Sequence, residues 1–327
     1  MRFLRFLFAA AVVLFHGWAA MAISIDGPDS VWLGRALIAS QLVAGFLLCR
    51  FRWPKPGAVV AGLMPALVVL AWWLSIPASN DRAWLDESEF PAQAKIEGDM
   101  VTIRNVRNFD YRSNEDYTTR WETRTYDLSK LRGIDFYMST WGSPLIAHTI
   151  ASWDFGDDQY LAISIETRKE VGEEYSAILG FFRQFELYYV VADERDVIRV
   201  RADFRDEDVR LYHLTTRPEI AKAILLDYLK EVNRLAEEPA WYNAFSQNCT
   251  TSIRHHIQHV VPSGLPNWRI FVNGFLDELG YETGRLDTSL PFEELRERSR
   301  ISARSKELPE GANYSAWIRE GLPGSRD

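Results

Sequence analysis

Asn248-Cys249-Thr250-Thr251-Ser252-Ile253-Arg254-His255-His256-Ile257-Gln258-His259-Val260-Val261 reads as a capped helix that stops before Pro262. An Asn at the cap position accepts a bond from the first unpaired backbone N–H groups, and Pro cannot continue the helix. At helical spacing Cys249, Ile253, Ile257 and Val260 share one face, the face that packs on a sheet. A sulfur at a helix start sits among unpaired N–H groups at the positive end of the helix dipole, which favours its thiolate. Cys249 is therefore a candidate nucleophile, the competing reading being a plain core residue.

A thiol enzyme needs a base, and the chain has six histidines. His16 lies in an apolar N-terminal run. His255, His256 and His259 share the helix of Cys249, and His256 stands about 10 Å along the axis from it, too far for a hydrogen bond. His148 interrupts the apolar strand Leu145-Ile146-Ala147-His148-Thr149-Ile150, where a polar ring needs a partner. His148 is the first candidate base, and His213, also on an expected strand, is the second. The surroundings of His148 read as a hairpin, residues 145–155 and 160–168 around Gly156-Asp157-Asp158. A three-residue loop sets Glu166 opposite His148, where it can orient the ring. A two-residue loop turns Glu166 to the other face and leaves Asp154 as its competitor. The competing readings are a backbone-bonded His and a cross-strand ion pair for Glu166. His255 and His259, four apart, can share a metal, but the His-Glu-x-x-His pattern is absent and a solvated helix face is preferred. No metal and no cofactor is expected, and no Walker loop, dinucleotide fingerprint or Gly-x-Ser-x-Gly elbow occurs.

Around this core, residues 100–109 and 121–128 alternate and are rich in β-branched and aromatic side chains, so they are expected strands. Residues 185–191, 198–202 and 209–214 are expected strands too, with a charged turn at 192–196. Thr216-Arg217-Pro218-Glu219 reads as a capping box ahead of a helix carrying Ile220, Ile224, Leu225, Tyr228, Val232 and Leu235. A further helix is expected over 268–279, ended by Gly280. Strands grouped before helices predict an α+β domain over 92–301, behind a linker at 77–91 and ahead of a loosely ordered tail at 302–327.

Residues 1–76 form an anchor. Three apolar stretches, about 3–25, 32–49 and 58–76, each approach the roughly 20 residues that span a bilayer. Trp32 and Trp53 bracket the second stretch, and Trp72 and Trp73 sit near the end of the third, where aromatic belts form. Arg2 and Arg5 precede the first span; Arg50, Arg52 and Lys55 separate the second from the third; Asp26 and Asp29 lie in the other loop. The positive-inside rule puts the N-terminus in the cytoplasm and everything after Ile76 outside. Ala20-Met21-Ala22 has the pattern of a signal-peptidase site, and cleavage there leaves two spans with the same orientation. Beyond residue 76 there are 31 bases and 43 acids, a net charge of −12, which argues against a nucleic-acid partner. Cys49 and Cys249 are the only cysteines, so an exported Cys249 has no internal disulfide partner.

Asn105-Val106-Arg107-Asn108-Phe109-Asp110-Tyr111, Ile146-Ala147-His148-Thr149, Ser164-Ile165-Glu166-Thr167-Arg168-Lys169, and Tyr242-Asn243 through Asn248-Cys249-Thr250-Thr251 resemble the Lnb N-terminal periplasmic domain family. The resemblance spans residues of about 80–300, a domain-sized stretch. It implies a papain-like fold of the permuted kind, with His preceding Cys, Cys249 as nucleophile and His148 as base. It also implies acyl transfer from a lipid-modified lipoprotein to an amine, the chemistry of the name-giving enzyme. The short helical anchor departs from members with a larger C-terminal membrane part. The expected function is thus an inner-membrane-anchored periplasmic thiol acyltransferase or acyl hydrolase acting on lipid or lipoprotein. Its competitors are a cell-wall peptidase or amidase and a non-catalytic envelope binding or assembly module.

Overall fold

The computed structural model describes residues 2–50, 55–261 and 267–326; Arg52, Trp53 and Pro262, used above, lie outside the described residues. The chain divides into two compact units, one of Met1–Ser79 with Tyr175–Glu186, the other of Asn80–Glu174 with Leu187–Asp327.

The first unit holds three helices, α1 (Arg2–Asp26), α2 (Val31–Arg50) and α3 (Pro56–Ser75), each long and apolar enough to cross a membrane. With no hydrophobic gain between helices in lipid, such helices associate through close packing and internal polar bonds. Both occur here. A Cβ on Gly62 would meet the Leu48 side chain at 2.5 Å. His16 Nδ1 and Gln41 Oε1, both buried, are 3.1 Å apart. Ala20, Met21 and Ala22 lie inside the continuous α1, and Ala19, Ala22 and Ile23 pack with Ala66, Val69 and Phe182.

The second unit is built on an eight-stranded sheet. Its elements are β1 (Gln93–Glu97), β2 (Met100–Arg107), the short pair β3 (Asp110–Tyr111) and β4 (Tyr117–Thr118), β5 (Trp121–Asp127), β6 (Gly133–Thr140), β7 (Ala147–Asp154), β8 (Tyr160–Arg168), β9 (Glu186–Ala192), α4 (Glu194–Val197) and β10 (Asp208–His213). The helices α5 (Pro218–Glu237), α6 (Cys249–Val260), α7 (Leu276–Glu282), α8 (Phe292–Arg298), α9 (Ser302–Lys306) and α10 (Tyr314–Arg319) follow. The strand order is β1-β2-β9-β8-β7-β6-β10, with β5 on β2 outside that path. β1–β2, β2–β5, β7–β8, β6–β7 and β6–β10 pair antiparallel, and β2 meets β9 in a parallel contact. This is a mixed α and β domain, as its order of strands and helices leads one to expect.

Five expectations are corrected. Residues 198–202 are not a strand: Asp193 caps α4 by accepting a bond from the Arg195 N–H, and the helix runs on into a π-turn, Val200–Phe204. Residues 192–196, expected as a charged turn, therefore end β9 and begin that helix. Thr216 does not cap α5, whose N-cap is Arg217 with no side-chain cap bond; Pro218 opens the helix by its preset φ. Residues 268–279 form two 3-10 turns and the start of α7, which runs through Gly280 to Glu282. From Ser302 the chain is not loose: Ile301, Tyr314, Ile318 and Leu322 are buried with Val197, Ile198 and Ala202.

The linker is shorter than the sequence suggests. Asn80 Nδ2 donates to the carbonyls of Leu235 and Ala236, and the Leu85 N–H donates to the Lys169 carbonyl, so residues from Asn80 onward belong to the domain.

Candidate functional site

β7 and β8 are joined by the loop Gly156-Asp157-Asp158, all three residues with positive φ, closed by the Phe155 N–H on the Gln159 carbonyl. The ladder runs from Asp154↔Tyr160 to Ile150↔Ser164. Continued by two residues, that register sets Glu166 opposite His148 and on its face. The hydrogen bonds agree. His148 Nε2 lies 2.7 Å from Ser164 Oγ, whose hydroxyl donates to Glu166 Oε1 at 2.7 Å. His148 Nε2 and Glu166 Oε1 are themselves 3.7 Å apart. Arg201, buried on the π-turn, donates to the same Glu166 oxygen at 2.9 Å. Glu166 therefore reaches the ring mainly through Ser164. Asp154 is elsewhere, accepting the Gly156 N–H in the hairpin loop.

Cys249 is the first residue of α6. Asn248 Oδ1 accepts the Thr251 N–H at 2.9 Å, and Thr251 Oγ1 accepts the Asn248 N–H at 3.0 Å, a complete capping box. The N–H groups of Cys249 and Thr250 remain at the open helix start. Asn273 sets α6 against β7: it accepts the Ala147 N–H at 2.7 Å and donates to the Ala147 carbonyl at 2.6 Å and to Thr250 Oγ1 at 2.7 Å. The next residue must be glycine, since a Cβ on Gly274 would fall 1.9 Å from the Pro144 carbonyl oxygen.

This clamp sets the Cys249 sulfur, partly exposed, where His148 and Thr149 act on its charge, and 3.9 Å from Thr250 Oγ1. Burial pushes the thiol up, and His148 and Thr149 outweigh it, bringing the Cys249 pKa to about 6. Burial and the Arg201 guanidinium push the imidazole down, and the bonds to Cys249 and Glu166 outweigh them, raising His148 to about 9. Burial alone would raise Glu166, but Arg201 and His148 hold it well below the usual carboxylate range. At neutral pH the pair therefore rests as thiolate and imidazolium.

The row Cys249, Ile253, Ile257 leads away from the sulfur along α6. Ile253 and Ile257 line a mostly apolar cavity of about 550 Å³, together with Thr149 and Thr250 at one side and Trp153, Ile224 and Leu286 among its walls. Tyr228 also lines it, and its buried hydroxyl has no hydrogen-bond partner among the described residues. Burial, the Tyr189 phenol and the Cys249 sulfur push its pKa far above the ordinary phenol range, so it remains a donor at every working pH.

Residues 117–274 match the family model of the Lnb N-terminal periplasmic domain. The chain carries a Lnb N-terminal periplasmic domain. His148, Glu166 and Cys249 all fall inside the matched stretch, as do Ser164, Arg201, Tyr228 and Asn273. Joined to three helices of membrane-spanning length, this makes the chain a membrane-associated protein with a periplasmic domain. No curated protein and no solved structure matches the chain.

The other histidines of the Lnb-type domain lie apart from the sulfur in the bonds they make. His213 Nδ1 is 2.7 Å from Asp135 Oδ1, in a buried group with Arg319 and Arg326. His255 packs edge-on against His259, and it is His256, not His255, that converges with His259, on Asp227. Ser164, Arg201, Asn273 and Tyr228 escape the sequence reading. Only Tyr228 carried a signal, a hydroxyl within an otherwise apolar helix stripe.

Proposed function

We propose that the domain is a thiol acyltransferase or acyl hydrolase on a papain-like fold of the permuted kind, taking a fatty acyl ester of a membrane lipid or lipoprotein as donor. The observation that carries this reading is the apolar cavity beginning at Thr149 and Thr250, the neighbours of His148 and Cys249. An acyl chain laid along Ile253 and Ile257 would bring its carbonyl carbon to the sulfur. Its mostly apolar wall suits an acyl chain better than a polar peptide, which weighs against a cell-wall peptidase. A pure binding module gives no reason for a thiol held near pKa 6 by a neighbouring imidazole.

The steps follow from the groups present. The Cys249 thiolate adds to the ester carbonyl, and the oxyanion meets the N–H groups at the start of α6 and the Tyr228 hydroxyl. His148, protonated, gives its proton to the departing alkoxide as the C–O bond breaks, leaving a thioester on Cys249. An amine, a lysolipid or water then attacks the thioester, His148 removes its proton, and the thiolate leaves. Arg201 and Glu166, through Ser164, keep the ring oriented through both transfers. Arg2, Arg5, Arg50 and Lys55 support an inner-membrane placement with the N-terminus in the cytoplasm.

Two measurements test this. On thioesters of graded chain length, kcat/KM of the full chain in detergent should rise about fourfold per methylene, the worth of about 0.8 kcal/mol, until the cavity is filled. Ile253→Trp should flatten that rise. A rate indifferent to chain length, or cleavage of cell-wall peptides in place of acyl esters, overturns the reading. Tyr228→Phe keeps the ring and deletes only the donor, so kcat should fall about 10²-fold while alkylation of Cys249 stays unchanged. An unaltered kcat removes Tyr228 from the mechanism.

A further inference from the structure

Between α5 and α6, a second cluster has no part in the chemistry above. Asp227 on α5 faces His256 and His259 on α6. Asp227 Oδ2 lies 2.7 Å from His256 Nδ1 and 2.9 Å from His259 Nδ1, and the three atoms all fall within 4.8 Å of one another. Two imidazoles thus converge on a single carboxylate oxygen, and on losing their Nδ1 protons the three groups could share one ion.

The ring nitrogens are arranged for it. His256 is buried, and its Nε2 is 2.8 Å from the Tyr189 hydroxyl. In this geometry Nδ1 donates to Asp227 and Nε2 accepts from the Tyr189 hydroxyl; an ion at Nδ1 displaces that proton, and Nε2–H can then donate to the Tyr189 oxygen, as ligating histidines require. The Tyr228 ring lies against the other face of the His256 imidazole, with centroids 3.9 Å apart, and fixes its plane. His259 is nearly half exposed, so one side of the centre is open to solvent. Zinc takes imidazole nitrogen and carboxylate oxygen at about 2.0–2.2 Å, which sets ligand atoms of one tetrahedral shell about 3.4 Å apart. The carboxylate needs to withdraw by only about half an ångström to admit the ion. The donor set of two imidazoles and one carboxylate with an open fourth position favours zinc over calcium or magnesium, which take oxygen.

We propose that Asp227, His256 and His259 form a Zn²⁺ site, with water as fourth ligand, that fastens α6 to α5. Bound there, the ion stabilises the helix that carries Cys249 at its start, seven residues from His256.

The test uses the full-length chain in detergent, with Cys249→Ala so that the thiolate offers no competing ligand. After chelator treatment, titration with Zn²⁺ alone should show one tight equivalent and a rise in Tm. His259→Ala, at a half-exposed position that folding tolerates, should weaken binding about 100-fold or more and abolish the Tm rise. Asp227→Asn should do the same, and His255→Ala should leave both intact. Co²⁺ should give the visible absorption of a four-coordinate shell. Absence of stoichiometric binding overturns the proposal, as does binding that survives His259→Ala or fails equally in His255→Ala. Since Cys249 is already replaced, none of these outcomes bears on the acyl-transfer reading.

Discussion

Cys249→Ala should lower turnover of a long-chain thioester by at least about 10⁴-fold while the domain stays folded. The first half follows from the proposed covalent route. Without the sulfur no acyl-enzyme forms, and what remains is binding plus the oxyanion donors, the residue left when a nucleophile is removed from a site whose members act as one unit. The second half follows from the surroundings. Cys249 is partly exposed, and α6 is held at its start by the Asn248–Thr251 capping box and by Asn273, none of which uses the sulfur. Alanine is also a good first-turn residue. Thermal unfolding should therefore shift by no more than a few degrees. The variant should also lose the acyl label that the parent chain acquires from a chain-length-matched thioester, seen by mass. Retained label on another residue, or retained turnover, would sink the nucleophile assignment.

How much of this was legible in the sequence depended on whether a residue's role is local. The β7–β8 hairpin was readable because two β-branched and apolar runs flank a Gly-Asp-Asp loop, while its register, open between a two- and a three-residue loop, needed the structure. The start of α6 was readable because a capping box is a four-residue device. The strand β6 was not. It is buried on both faces, so it shows no alternation, and Asp135, its third residue, reads as a loop residue until Arg319 and Arg326, far along the chain, are seen to neutralise it. The same ion pairs explain the tail: α10 is too short to be stable alone and is fixed by burial of Tyr314 and Ile318 and by Arg319 on Asp135 and Glu194. Residues 198–202 misled because Ile198, Val200 and Ala202 alternate with two arginines, yet the end of α4 and the π-turn bury all three, and the π-turn aims Arg201 at Glu166. In the site, Cys249 and His148 were legible because each is chemically out of place in its run. Ser164, Asn273 and Arg201 are ordinary where they stand, and only the fold brings them to the pair.

His148→Ala should move the pH midpoint of Cys249 alkylation from near 6 to 9 or above, and cut kcat/KM by about 10³-fold or more. The direction follows from the balance at the sulfur. Burial, the largest influence, raises the thiol, and His148 supplies the main opposing pull, with Thr149 adding to it. Take the imidazole away and burial is left nearly unopposed, so the thiol returns to its ordinary value near 9 or passes it. In the parent, alkylation is lost as pH falls through about 6, because the depressed group becomes protonated there. In the variant that loss comes about three pH units higher, so a thiolate that is roughly nine-tenths formed at pH 7 falls to about one part in a hundred. The midpoint is the proper readout, since a more basic thiolate is intrinsically more nucleophilic and partly masks the change in rate at any single pH. Turnover suffers more than labelling, because the variant also lacks the proton donor for the leaving group, itself worth about 10²–10⁴-fold. For the same reason the parent's turnover should be bell-shaped, rising through about 6 as Cys249 ionises and falling through about 9 as His148 loses its proton. His213→Gln, at a ring bonded to Asp135, should leave the alkylation midpoint near 6. Full alkylation of His148→Ala at high pH would show that the fold and the thiol are intact, so the loss at neutral pH belongs to the missing imidazole. A midpoint that stays near 6 in His148→Ala, or one that moves in His213→Gln, would take the role of base away from His148.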